Sequence, residues 1–327
     1  MNTLEKSILA TIVYYDVLEK PLTSWEIFKF LINLKHITQE KTEVVALEQV
    51  LKILDQSKDL SEFISQKNGF YFLKSKEYLI KKRINKQKLA DKKWKKAKKY
   101  INFLKLTPFI RSVIVSGSLA INNTKKNSDI DLLIISTSDR IWTCRVFTVI
   151  ISHLLGKKRN KNITKDRLCL NHYLTDNSLK VKYQSLYNAQ TYAHLTTIWE
   201  KDKNYKKKKK NNNWIKNFLV FYPNIKKGYL LSLKSKNFLD YTRKTEEWFL
   251  KGKAGNLLEL FFKKIQEKRI KKDPLTYAPN GRVVYNNQQL EFHPNSPEKR
   301  IIEKYNSKMS ELGFKELSTE KDSGLIS

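Results

Sequence analysis

Apolar residues recur at three- and four-residue intervals through the first 60 residues, and this period predicts helices. Thr23 with Glu26 forms a capping box for the second helix, and Thr42 is placed to cap the third. Asn68-Gly69 is a strong hairpin turn signal inside an apolar segment. The predicted elements are helices over 4–18, 23–34 and 43–54 and a hairpin over 60–74. Three helices followed by a hairpin indicate a winged-helix order.

A winged helix often binds DNA through its third helix, which meets phosphates and base edges. The candidate third helix carries Glu43, Glu48 and Asp55 against a single Lys52. Phosphates would repel these acids. The sequence therefore favours a structural or protein-contact role, with direct DNA binding as the open alternative.

A basic helix is predicted over 76–105, where apolar positions keep a three-four spacing and lysines fill the rest; Pro108 ends it. Two interpretations stay open. The lysines form a solvated helix face, or the stretch 81–99 follows the phosphates of a nucleic-acid partner.

The segment after this helix predicts a strand, a turn and a second strand. A β-branched run begins at Arg111 and ends at Gly117-Ser118, and a polar loop then leads into the apolar run 129–135. Because side chains at i and i+2 of a strand point the same way, Asp129 and Asp131 should project together while Ile130 and Leu132 pack behind the sheet.

Two carboxylates on one face repel each other unless a cation lies between them, and oxygen ligands of this kind suit Mg²⁺ that carries a nucleoside triphosphate. Gly117 lets the backbone approach a ligand, and Ser118 adds a hydroxyl beside amide groups that can receive phosphate oxygens. These parts predict a site that handles phosphoryl groups.

Gly117-Ser118, a gap of ten residues and then Asp129-Ile130-Asp131 resemble the signature of the nucleotidyltransferase superfamily, the DNA polymerase beta-like fold. The resemblance implies that Gly117 and Ser118 hold the triphosphate, and that Asp129 and Asp131 bind Mg²⁺. It also implies attack of an acceptor hydroxyl on the α-phosphate, with release of pyrophosphate. With the predicted winged helix, the order of elements resembles bacterial nucleotidyltransferase-domain proteins.

The family normally adds a third carboxylate from a later strand, and here the sequence departs from the pattern. The next strand-like segment, 168–174, presents Asn171 or His172 at the expected place, with Asp166 and Asp176 at its ends. Asn171 could be a metal ligand through its carbonyl oxygen, but it cannot accept a proton. His172 is either structural or a site residue, and atypical or absent activity is an alternative.

The rest of the chain predicts a mainly helical region. Helices are expected over 183–200, 214–233 and 235–271, then a small hairpin over 282–292 and a last helix that opens at Ser296-Pro297-Glu298. The fold class is α+β, with a central mixed sheet flanked by helices. The predicted divisions are a winged-helix-like domain (1–75), a basic connecting helix (76–107), a nucleotidyltransferase core (108–200), a Lys/Asn-rich linker (201–213), a C-terminal region (214–317) and a loose tail (318–327).

Composition adds limits on class and compartment. There are 64 basic and 32 acidic residues, a net charge of +32 that suits a nucleic-acid-binding surface. However, only 10 of the basic residues are Arg, and Lys accompanies abundant Asn and Ile, so A/T-rich codons explain much of the charge equally well. Two cysteines exclude a disulfide framework. Without a signal peptide or long apolar run, we expect a cytoplasmic protein with no membrane partner.

Three functions follow as hypotheses. The first is a Mg²⁺-dependent nucleotidyltransferase that acts on an NTP and an unidentified acceptor. The second is a catalytically weak or inactive module that binds nucleotide or nucleic acid. The third, sequence-specific DNA regulation, is disfavoured by the acidic third helix.

Overall fold

The computed structural model describes residues 1–34, 45–160, 162–181, 183–201, 211–222, 237–279 and 281–314. Most of the predicted linker and all of the predicted tail lie outside these residues. Within the described part of the chain, every helix is too short or too polar to cross a bilayer. The fold is mixed α+β, with one three-stranded and one six-stranded sheet, as predicted.

The N-terminal part alternates helices with short strands. The predicted hairpin is confirmed, and its turn residues Asn68 and Gly69 both have positive φ. The third strand, at 22–23, joins the hairpin to give the order β1-β3-β2. The elements are α1 (Thr3–Val17), β1 (Leu22–Thr23), α2 (Ser24–Lys29), α3 (Leu47–Gln56), α4 (Lys58–Ser61), β2 (Ile64–Lys67) and β3 (Phe70–Leu73).

Two predicted helix bounds in this part are wrong. α2 ends at Lys29, five residues early, because the Ile32 backbone donates to Thr11 Oγ1 and pairs with Leu219. α3 begins at Leu47 rather than at residue 43, and Thr42 lies outside the described residues. The assignment as a winged helix stays a prediction.

The basic helix is confirmed as α5 (Leu79–Leu104), but its lysines do not form one solvated face. Lys93 is buried and donates to Asp166 Oδ1 at 2.7 Å and to the Ser128 carbonyl at 2.7 Å. Lys96 also donates to Asp166. Part of the predicted basic stretch therefore holds the two loops that contain Ser128 and Asp166.

The six-stranded sheet has the order β7-β4-β5-β6-β9-β8. β5 and β6 are parallel, and the other neighbours are antiparallel. Ile130 and Leu132 pack into the core beneath α5, while Leu133 and Ile135 face the opposite core, so the predicted alternation is confirmed. The elements are β4 (Ile110–Val115), α6 (Gly117–Ala120), β5 (Ile130–Ser136), α7 (Ile141–Leu154), β6 (Leu168–Thr175), α8 (Leu186–His194) and β7 (Thr196–Glu200).

The prediction of one helix over 183–200 is wrong, because its last five residues form β7. The segment is rich in strand-forming residues, namely Thr196, Thr197, Ile198 and Trp199. It pairs with the edge of β4 that faces away from β5, and so satisfies the backbone hydrogen-bonding groups there.

The C-terminal region packs against the N-terminal part and against the six-stranded sheet. Residues 213–217 form a 3-10 helix instead of the predicted α-helix, whose last part lies outside the described residues. The helix predicted over 235–271 is broken at Lys251, before Gly252 with φ +75°. The predicted hairpin is confirmed, and it extends the core sheet. The elements are α9 (Asn237–Phe249), α10 (Gly252–Lys272), β8 (Arg282–Tyr285), β9 (Gln289–His293) and α11 (Glu298–Glu311).

Buried carboxylates tie α9 and α10 to the core. Glu247 accepts from the Phe109 amide and from Arg111, and Glu259 accepts from the amides of Trp142 and Thr143 at the start of α7. α11 instead packs against α1 and α8 and contributes to the N-terminal core.

Candidate functional site

The Gly-Ser turn lies directly against the second aspartate. β4 ends at Val115, and α6 begins at Gly117, which has φ +61°. A Cβ atom at Gly117 would lie 2.2 Å from Asp131 Oδ2. The Ser116 amide also donates to the Asp131 carbonyl at 3.0 Å. Only glycine permits both this backbone conformation and this approach.

Asp129 and Asp131, called here the acid pair, converge as the i, i+2 spacing predicts. Asp129 directly precedes β5, and Asp131 is its second residue. Their carboxylate oxygens and the Cys169 thiol all lie within 4.8 Å of one another. Burial raises the pKa of Asp131 to about 7, and the Asp129 carboxylate adds to the rise. The protein thus holds this carboxylate where its negative charge is costly.

Two neighbours of the acid pair were missed in the sequence. Cys169 is the β6 residue paired with Asp131, and burial, with Asp131 and Asp129 next, raises the pKa of its thiol. Arg159 lies 2.8 Å from Asp129 Oδ2 and donates to Cys169 Sγ at 3.1 Å. A register of β6 against β5 would have found Cys169, but no local pattern marks Arg159.

The structure does not bring an Asp from the neighbouring strand to the acid pair. Asn171 hydrogen-bonds His293 on β9, at 3.1 Å. Asp166 is held by Lys93 and Lys96, and Asp176 accepts from Ser138. Coordination of a metal by Asn171 stays a prediction.

A cavity of about 650 Å³ opens beside the Gly-Ser turn, which is within the size range of small-molecule sites. Asp131, Gly117 and Ser118 line one part of it, and His172 lines another. Residues of α1 and α8 also line it. Basic side chains that also line it are Lys86, Lys125, Arg282, Arg300 and Lys304.

The acid pair suits a divalent cation by its donor chemistry. Two carboxylates lie together, and the half-exposed Arg159 supplies one opposing charge. Carboxylate oxygens are the ligands that Mg²⁺ prefers. The raised pKa of Asp131, which burial causes first, marks a charge that a bound cation would stabilise.

Comparison with known families places this site within a recognised domain. Residues 94–245 match the family model described as a nucleotidyltransferase domain. Searches of curated proteins and of solved structures gave no match. The matched range contains the Gly-Ser turn, the acid pair and Cys169. Over residues 94–245, the chain is therefore similar to nucleotidyltransferase domains.

Proposed function

We propose that the protein is a Mg²⁺-dependent nucleotidyltransferase that moves a nucleoside monophosphate group from an NTP to an acceptor hydroxyl. One observation carries the proposal: the backbone of Gly117 lies so close to Asp131 that a Cβ would come within 2.2 Å of its carboxylate. A phosphate-binding turn and a metal-binding pair that serve one triphosphate have to lie side by side.

In this proposal, each residue has a defined task. Asp129 and Asp131 offer oxygen ligands to Mg²⁺, which when bound would offset charge on the phosphoryl group. Gly117 and Ser118 present a backbone amide and a hydroxyl to phosphate oxygens. The cationic side chains of Lys125 and Lys86 can pair with the remaining phosphate charge.

The reaction balances as a substitution at phosphorus. The acceptor oxygen bonds to the α-phosphorus, and the bond from that phosphorus to the bridging oxygen breaks. Pyrophosphate leaves with the electron pair, and the acceptor proton passes to a base. Asn171 cannot be that base, because an amide does not take up a proton at neutral pH.

For the acceptor, we propose a nucleic acid that contacts α5. Lys93 and Lys96 are bound to Asp166, so the exposed lysines elsewhere on this helix would carry the interaction. These are Lys81, Lys88, Lys92, Lys95 and Lys99. Binding of an oligonucleotide should then weaken with salt, and neutralising Lys92 and Lys95 together should lower the salt slope by up to about 2.

A binding module without turnover is the second candidate. It is favoured by the ion pair of Arg159 with Asp129 and by Asn171 where the family normally has an acid. In this case, the cavity would bind NTP with Mg²⁺, but no bond would be broken.

The test uses the full-length protein with each labelled NTP, Mg²⁺ and a cell extract as the source of acceptors. We expect a labelled product and pyrophosphate, both reduced roughly 10²–10³-fold in Asp131→Asn, because metal-assisted charge stabilisation is worth several kcal/mol. Asp139→Asn is the matched control, since Asp139 is an exposed aspartate with φ +61° that asparagine tolerates. Equal turnover in Asp131→Asn would reject the proposal. Calorimetric NTP binding without product would support the binding module.

A further inference from the structure

A second group of potential ligands lines the cavity away from the acid pair. It consists of His172 on β6 with Glu291 and His293 on β9, and it is called here the histidine–glutamate cluster. His172 and Glu291 are direct partners in the β6–β9 ladder. Their potential ligand atoms all lie within 4.8 Å of one another.

The spacing of these atoms is close to that of a shared metal ion. His172 Nε2 lies 3.9 Å from Glu291 Oε2, and His293 Nε2 lies 3.7 Å from Glu291 Oε1. Ligands of a tetrahedral zinc ion, at about 2.1 Å from the metal, are about 3.4 Å apart. The two distances run to different oxygens of Glu291, so a shared ion requires the three ligand atoms to close from separations within 4.8 Å to about 3.4 Å.

A buried arginine joins the cluster to a second carboxylate, Glu298. Arg282 donates to Glu291 Oε1 at 2.6 Å and to Glu298 Oε2 at 3.1 Å, and all three residues are buried. One guanidinium is thus shared by two carboxylates, and a divalent ion between Glu291 and the two histidines would meet an anionic ligand.

The surrounding contacts also hold the ligands in place. Gln289 donates to Glu291 Oε2 at 2.7 Å, so both carboxylate oxygens are fixed. Asn171 contacts His293 Nδ1, which leaves Nε2 on the side of Glu291.

We propose that His172, Glu291 and His293 bind a zinc-type divalent metal ion at a site separate from the acid pair. Two imidazoles and one carboxylate are donors that suit Zn²⁺ or Co²⁺ better than Mg²⁺. Two strand spacings of roughly 4.8 Å separate β5 from β9, so one ion cannot serve both groups. All three ligands line the cavity, so a further coordination position is available to a ligand from within it. The proposal is independent of nucleotidyl transfer.

The experiment titrates the chelator-treated full-length protein with Co²⁺ alone and records its visible absorption. We expect the wild type to bind one Co²⁺ tightly. The affinity for Co²⁺ should be at least ~10²-fold lower in His172→Gln and in His293→Gln. His153→Gln is the matched control, because His153 is an exposed histidine on α7. Asp129→Asn with Asp131→Asn should keep the Co²⁺ signal.

Two results would overturn the proposal. One is the absence of tight Co²⁺ binding, and the other is binding that survives in both histidine variants but is lost in Cys169→Ser or Asp131→Asn. Should a histidine variant fail to fold by circular dichroism, X-ray absorption of the Zn²⁺-loaded wild type decides instead. Imidazole and oxygen scattering without sulfur supports the cluster, and a sulfur ligand contradicts it.

Discussion

Asp131 and Glu291 line the same cavity, yet the protein balances their charges in different ways. Burial and Asp129 raise the pKa of Asp131 to about 7, and Arg159, whose charge acts against this rise, is half-exposed. Burial alone would also raise the pKa of Glu291, but His172, Arg282 and His293 outweigh it and lower that pKa.

The fold therefore stabilises the negative charge of Glu291 but not that of Asp131. Glu291 belongs to a buried network that includes Arg282 and Glu298, so its charge contributes to folding. The charge of Asp131 opposes folding until a cation arrives. Excess negative charge of this kind is typical of binding and catalytic sites.

Removing the cation that compensates Glu291 should have the largest effect on stability. Arg282→Met removes the guanidinium between Glu291 and Glu298, so we expect the free energy of unfolding to fall by about 3–5 kcal/mol. Urea unfolding at neutral pH measures it. Arg300→Met, which changes an exposed arginine of the same cavity, should cost under about 0.5 kcal/mol. Equal losses in both variants would refute the comparison.

A carboxylate outside the cavity tests whether compensation itself sets stability. Burial alone would raise the pKa of Glu26, but Lys20 and Arg83 lower it to about 2. Because this pKa lies below the unfolded value of 4.5, the stabilisation is present above pH 4.5 and is lost as the pH falls towards 2. Glu26→Gln should therefore destabilise by about 3 kcal/mol at pH 7 and by far less near pH 2.

The control for Glu26 is Glu77→Gln, at an exposed surface pair with Lys67. We expect a loss under about 1 kcal/mol there. Urea unfolding between pH 2 and pH 7 compares the two variants, and a pH-independent difference would contradict the assignment.

Removal of the uncompensated carboxylate, Asp131, should change stability in the opposite direction. Without metal, Asp131→Asn removes one of two repelling carboxylates, so we expect unfolding to cost about 1–2 kcal/mol more than in the wild type. Added Mg²⁺ should raise the melting temperature of the wild type but not that of the variant. Thermal unfolding with and without Mg²⁺ measures both effects, and a destabilised variant would show that Asp131 is compensated after all.

Removing the exposed cation should have the smallest effect. Arg159→Gln breaks the ion pair with Asp129, but the arginine side chain is 46% exposed. Solvent screening limits the expected loss to well under 1 kcal/mol, and it should shrink further in high salt. A loss of several kcal/mol that salt does not reduce would show that Arg159 is part of the folded core.

Local patterns were sufficient where neighbours in sequence are neighbours in space. The acid pair, the Gly-Ser turn, the Asn68-Gly69 hairpin and the alternation of Ile130 and Leu132 each depend on a few consecutive residues. The short-range rules of strand pleat and turn geometry fix these features.

Predictions failed where a distant segment decided the outcome. α2 stops early because its next residues pair with Leu219, and β7 forms because β4 offers it an edge. By pattern Lys93 resembles the other lysines of α5, but it is buried and donates to Asp166. Periodicity carries no information about such partners.

The sequence by itself therefore determined the α+β class, the Gly-Ser turn and the two aspartates that share one face of a strand. Only the tertiary structure decided that Cys169 and Arg159 flank the acid pair and that His172 meets Glu291 and His293. The reason is distance along the chain: β6 and β9 are more than 100 residues apart, and their side chains meet because backbone hydrogen bonds place the two strands side by side.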